Sequence, residues 1–156
     1  MKNVIKLLFI ALAFAGCNEN RIFDAQVKIS EKGWNYERVP EFKFNITDTK
    51  SYYNIFLNLR NSEDYQYENI YLLVHLRNPD GRVQTQLVNV SLADETGKSR
   101  GSGMGDVQTY QLPLLKSKAF DKQGEYTIAL EQSMRDSSLK SVMDVGVMIK
   151  KGDPVF

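Results

Sequence analysis

An all-β fold, an antiparallel β-sandwich or jelly roll with about eight strands, is what this sequence predicts. Three observations lead there. Apolar and polar residues alternate over several short runs, at the period of two that a half-buried strand requires. Clusters of Gly, Pro, Asn and Asp separate the runs at roughly regular spacing. Aromatics make up 11% of the 156 residues, mostly Tyr and Phe, which suits pleated sheets better than helical bundles. There is no internal repeat, no heptad pattern and no second compositional block, so a single domain is expected.

The N-terminus stands apart from the fold. Lys2 and Lys6 form a positive start, and Leu7–Ala15 is apolar but too short to cross a hydrocarbon layer of about 30 Å as a helix. Ala15 and Gly16, both small, precede Cys17, the only cysteine. Residues 1–16 therefore read as a secretory signal peptide. The setting of Cys17 resembles a bacterial lipobox, in which the cysteine is acylated and becomes the mature N-terminus. Phe14 stands where an aliphatic residue is usual. Cys17 is thus the expected lipidation site, its acyl chains holding a membrane at about 0.8 kcal/mol per buried CH₂. Residues 17–24 read as lipidated cysteine and polar tether, and residues 25–156 as one β-sandwich domain. The leader holds two of the 20 basic residues and none of the 19 acids, so the remainder carries a net charge of −1. That leaves no electrostatic footprint for nucleic acid. With Cys17 acylated no disulfide can form, and packing and hydrogen bonds must hold the fold.

Along the domain, Ala25–Ser30 is a weak strand with Val27 and Ile29 on one side. Gly33 turns the chain before Trp34 and Tyr36, and after Pro40 the run Glu41–Thr47 alternates cleanly through Phe42, Phe44 and Ile46. Tyr52–Arg77 holds the two clearest strands. Tyr53, Ile55, Leu57 and Leu59 share one face of the first, and Ile70, Leu72, Val74 and Leu76 share one face of the second. The polar insert Asn61–Asn69 suggests that the two pair as a hairpin. Asn78-Pro79-Asp80-Gly81 is a strong turn, because Pro fixes φ and Gly accepts a positive φ. Arg82–Leu92 returns as a strand. Asp94–Gly97 turns, and Gly101, Gly103 and Gly105 lie in a flexible loop leading to a strand over Val107–Leu115. Pro113 argues against an interior position, so it marks an edge or a strand end. Lys116–Phe120 suggests one helical turn; strands follow from Tyr126 to Met134 and from Val145 to Lys150.

Chemistry is scarce. His75 is the only histidine and lies out of phase with the apolar face, as an ordinary sheet-surface residue does. With Cys17 spent, a zinc or copper site has almost no ligands, and no serine sits in a nucleophile elbow. Gly101–Asp106 lacks the Lys-Ser/Thr of a phosphate-binding loop, and Asp94, Glu95 and Asp106 lack calcium-loop spacing. No catalytic residue, metal or cofactor is expected. Two binding features remain. Trp34, Tyr36, Tyr52, Tyr65, Tyr67 and Tyr71 are candidates for a sugar-stacking platform, although sheets also use such residues for cross-strand packing. The stretch Gly97–Asp106 is longer than the usual connection of about 4–6 residues. With Lys98, Arg100, Gly101, Gly103, Gly105 and Asp106 it is the candidate partner-binding loop. The alternative is that its glycines permit a bulge or a close strand approach.

Leu59–Val74, Leu92–Asp106 and Gly124–Lys150 resemble, in order and spacing, the gliding-motility lipoprotein GldH family of Bacteroidota. Gln132, Met134-Arg135, Leu139 and Asp144-Val145-Gly146 are the most specific part. The resemblance implies a non-enzymatic lipoprotein of the cell envelope, anchored in the outer membrane. Its implied partners are other envelope or motility proteins tied to gliding and type IX secretion. A surface lipoprotein that binds glycan is the alternative. The leader makes a direct prediction: Cys17→Ala releases the chain from the membrane fraction or leaves it uncleaved. Unchanged fractionation, with no incorporation of labelled fatty acid by the wild-type chain, would refute acylation.

Overall fold

The computed structural model describes residues 20–152, so the leader and Cys17 lie outside the described residues. Among the described residues there are strands and turns and no helix. The strands are β1 (Arg21–Lys28), β2 (Trp34–Asn35), β3 (Glu41–Ile46), β4 (Tyr52–Ser62), β5 (Asn69–Arg77), β6 (Val83–Ser91), β7 (Ser102–Met104), β8 (Val107–Ala119), β9 (Gly124–Gln132), β10 (Ser138–Leu139) and β11 (Val142–Gly152). One sheet runs β1-β11-β4-β8-β7 and the facing sheet runs β3-β9-β5-β6, with β2 and β10 forming a two-stranded clasp.

Setting aside the three short strands, the pairing is nested. The first long strand pairs with the last, β3 with β9, β4 with β8, and β5 with β6, all antiparallel. That is a long hairpin rolled up on itself, a jelly-roll order within the all-β sandwich or jelly roll expected from the sequence. Inward positions form one continuous core. Ile55, Leu57, Val145 and Val147 of the first sheet, and Ile70, Leu72, Ile128 and Leu130 of the second, are all fully enclosed.

Four expectations are corrected. The β4 and β5 runs do not pair as a hairpin. β4 lies between β11 and β8, β5 lies between β9 and β6, and their apolar faces meet across the core. Alternation specifies a buried face but leaves open which edge a strand pairs along. The N-terminal strand begins at Arg21, inside the stretch read as tether, because Phe23, Ala25 and Val27 extend the inward series. Lys116–Phe120 is not a helical turn: β8 continues to Ala119. The alternation fails there because β8 is irregular against β4 near Ile55, and Ser117 takes a φ of +50° with its N–H donated to Asn54 Oδ1. Finally, Ser102–Met104 is a strand and not a loop. Pro113 does fall on an edge, since β7 covers only Val107–Thr109 of β8.

One end of the sandwich is closed by aromatic rings from both sheets. Phe120, just past β8, packs edge-on to Tyr126 of β9 at 4.7 Å and to Tyr53 of β4 at 5.3 Å between centroids. Phe44 of β3 stacks on Tyr126 at 5.9 Å. Edge-to-face pairs at these spacings are favourable beyond their area burial. Phe120 touches rings from both layers, so Phe120→Ala opens a void that neither sheet can close alone. The expected loss in denaturant unfolding is about 3–5 kcal/mol. A loss under about 1 kcal/mol would mean the end collapses around the void and the cluster is not what joins the layers there.

Candidate functional site

A groove of about 950 Å³ lies on the outer face of the five-stranded sheet. The period of two builds it. With Leu57, Leu59, Leu112, Val145 and Val147 turned inward, Asn58 and Arg60 of β4, Asp24 and Gln26 of β1, and Thr109 and Gln111 of β8 must face out. Ser102 and Gly103 of β7 form the far wall.

Across this face the side chains bond in a line. Arg21 Nη1 donates to Asp24 Oδ2 at 3.0 Å. Asn58 Nδ2 donates to Asp24 Oδ1 at 2.9 Å, and Gln111 Nε2 donates to Asn58 Oδ1 at 3.2 Å. The line passes over β11 because residue 146, opposite both Gln26 and Asn58, is glycine. A Cβ there would lie 2.6 Å from Gln26 Cβ and 2.8 Å from Gln26 Cα. Beside the line, Arg60 Nη1 lies 3.5 Å from Asp144 Oδ2, with the arginine half exposed and the aspartate buried. The groove thus offers amides, a carboxylate, hydroxyls and a guanidinium. This donor and acceptor set suits polyhydroxylated or peptide-like ligands. Sequence reading missed these residues, although a lone glycine inside the apolar run Val142–Ile149 signals a close approach.

The expected loop is ordered by its own bonds. Asp94 Oδ1 accepts from the N–H groups of Thr96 and Lys98 and from the Thr96 hydroxyl. Those bonds, led by the Thr96 hydroxyl, hold the Asp94 carboxyl below its usual range. Arg100 N–H donates to Leu92 O at 2.8 Å. A Cβ on Gly101 would sit 2.9 Å from Tyr110 Cε1, and Gly105 turns with a φ of +62°. Those glycines have scaffold reasons. Of the six loop residues, Gly103 alone lines the groove; Lys98, Arg100, Gly101, Gly105 and Asp106 lie away from it.

The aromatic residues do not form one platform. Trp34 is fully buried and donates Nε1–H to Arg38 O at 2.8 Å. Tyr52 lies on the outer face of the five-stranded sheet and Tyr71 on that of the four-stranded sheet. Tyr65 and Tyr67 stand edge-on, 5.7 Å apart, beside a cleft of about 540 Å³ that Asp136 and Lys140 also line. Burial above all, helped by neighbouring Tyr67, Tyr110 and Asp136, pushes the Tyr65 hydroxyl well above the ordinary tyrosine range. Tyr67 donates to Asp136 Oδ2 at 2.7 Å, a bond that raises its own hydroxyl. His75 lies on the outer face of the four-stranded sheet, with Nδ1 2.9 Å from Thr85 Oγ1 and Nε2 2.8 Å from Glu131 Oε2. It has no serine partner there. Among the described residues no three His, Cys, Asp or Glu side chains converge as a metal site.

The groove floor is testable. Gly146→Ala should cost about 1–3 kcal/mol, because the new Cβ must displace the β1 backbone. Asn58→Ala should cost no more than about 1 kcal/mol, its hydrogen bonds being water-exposed. The reverse order in urea unfolding would show that the close approach at Gly146 does not set the floor.

Comparison with known proteins gives a consistent result. The GldH lipoprotein family model matches residues 21–149. The gliding motility lipoprotein GldH homolog of Christiangramia forsetii is 28% identical over 97% of this chain and 96% of its own length. The gliding motility lipoprotein GldH of Flavobacterium johnsoniae is 28% identical over 98% of this chain and 99% of its own. Among solved structures, a family GH115 4-O-methyl-alpha-glucuronidase superposes on 85% of this chain and 18% of its own, at a TM-score of 0.38 and 11% identity. Likeness at that level bears on neither activity nor substrate. The family match, by contrast, begins at the first residue of β1 and ends within β11, spanning the whole nested sandwich. The chain belongs to the GldH lipoprotein family.

Proposed function

We propose that this protein is a lipid-anchored, non-enzymatic component of the gliding machinery, acting as a binding or scaffold element in the cell envelope. The observation that carries the reading is the end-to-end match to relatives named gliding motility lipoproteins. The N-terminal Ala15-Gly16-Cys17 supports anchoring through an acylated Cys17, with the sandwich following after a short tether. The outer membrane and a link to type IX secretion belong to the same proposal. The outer groove is the place for a partner, because its polar line is held in register by four strands. The turn bearing Lys98 and Arg100 is a second point of contact, projecting charge from a frame fixed by Asp94.

A glycan-binding role is the second reading, and the groove is the observation that favours it. Asn58, Gln111 and Asp24 present the planar amides and carboxylate that pair with vicinal hydroxyls. Aromatic stacking supports it less, since Trp34 is in the core.

Deletion of the gene tests the first reading, with surface spreading and secreted protein as readouts. Loss of spreading restored by the wild-type chain is expected. Normal spreading and secretion after deletion would overturn the role. Restoring the deletion strain with Asn58→Ala/Gln111→Ala separates the readings. Lost spreading at unchanged melting temperature, with no glycan binding by the wild-type protein in calorimetry, indicates a protein partner in the groove. Calorimetric glycan binding that the variant loses indicates the second reading.

A further inference from the structure

Four strand edges bound the two sheets, and three of them are blunted. β1 carries Arg21, Asp24 and Lys28 and a register irregularity between Arg21 and Phe23. β3 follows Pro40 and carries Glu41 and Lys43. The β7–β8 edge is three residues of β7 followed by Pro113, Lys116 and Lys118. Charges, prolines and bulges of this kind keep an open edge from pairing with another chain. β6 has none of them. Its nine residues, VQTQLVNVS, contain no charge, no proline and no glycine, and its register with β5 is unbroken from Val83 to Ser91.

The bonding phase of that edge follows from its two ends. Asn78 N–H donates to Arg82 O at 2.8 Å, and Leu92 N–H donates to Glu68 O at 2.7 Å. Both belong to the β5–β6 register, so the even-numbered residues of β6 bond to β5. In an antiparallel ladder bonded and non-bonded positions alternate. The N–H and C=O groups of Val83, Thr85, Leu87, Asn89 and Ser91 therefore point away from the sheet. Their side chains share its outer face, where Leu87 is 57% exposed and Val83 52%, beside exposed Tyr71.

We propose that β6 pairs antiparallel with β6 of a second copy about a two-fold axis at Leu87, fusing two four-stranded sheets into one. The strand is complementary to itself. With Leu87 opposite Leu87, Thr85 meets Asn89 and Val83 meets Ser91, so every outward-pointing backbone group finds a partner in one register. An uncharged strand meets its copy without like-charge repulsion between facing side chains, which opposes self-pairing along the charged edges β1 and β3. The Lys118 ammonium that reaches β6 from β8 is held by Gln84 Oε1, at 3.0 Å, in the even-numbered series that bonds to β5 and not among the outward-bonding residues. The two Leu87 side chains cover each other together with the nearby Tyr71 ring. Because both copies use the same edge, the pairing closes at two and does not polymerise.

A single strand edge is small beside the roughly 1,200–2,000 Å² of a stable interface, so cross-linking in place is the suitable measurement. In the full-length chain in its native envelope, Leu87→Cys should give a homodimer with a short bifunctional thiol reagent. Thr85→Cys combined with Asn89→Cys should do the same. Thr85→Cys alone should not, because its two copies would sit about 13 Å apart along the strand. The wild-type chain is the control for Cys17, and an unchanged melting temperature checks the fold at these exposed positions. The proposal is overturned if no homodimer forms. Equal cross-linking of Thr85→Cys alone also overturns it. So does a cross-linked species that mass spectrometry identifies as a different protein, which would make the occupant a foreign strand.

Discussion

The packing of two alternating faces against each other is the constraint on which everything else depends. Among the described residues there is no cysteine, no cluster of three metal-ligating side chains and no helix to reinforce the domain. Enclosed aliphatic side chains from β4 and β11 on one side, and from β5 and β9 on the other, meet at its centre. These are the inner strands of their sheets, with partners on both edges. Every outward feature is a by-product of that choice. Once Leu57 and Val147 point in, Asn58 must point out, and the groove follows.

The strands were legible in the sequence because burial acts locally on every second residue. Tyr53 to Leu59 and Ile70 to Leu76 could be assigned from spacing alone, and the nested jelly roll agreed with the number of runs. The mate of each strand was not legible. The β4 and β5 runs look like a hairpin, and only the competition of β11 and β8 for the β4 edges separates them. β7 escaped because Ser and Gly carry no burial signal.

The groove illustrates a different limit. Asp24, Asn58 and Gln111 lie in three strands that are far apart in sequence and become neighbours only through the nested pairing. Each looks like an ordinary solvent-facing polar residue. Gly146 was the one local hint. The glycines of 101–105 admit two readings, backbone freedom for a binding loop or room for a bulge or close approach. The second has its counterpart in Gly101, which makes room for Tyr110, and in Gly105, which supplies a tight turn.

The nested order also governs when the protein can become a protein at all. Phe23 pairs opposite Ile149, so the first strand has no mate until the last has been delivered. Contacts this distant in sequence make closure slow compared with that of locally wired folds. For a chain whose start reads as an export leader, slowness is useful. A polypeptide that cannot complete its sheets until its final segment arrives stays threadable while it is being translocated.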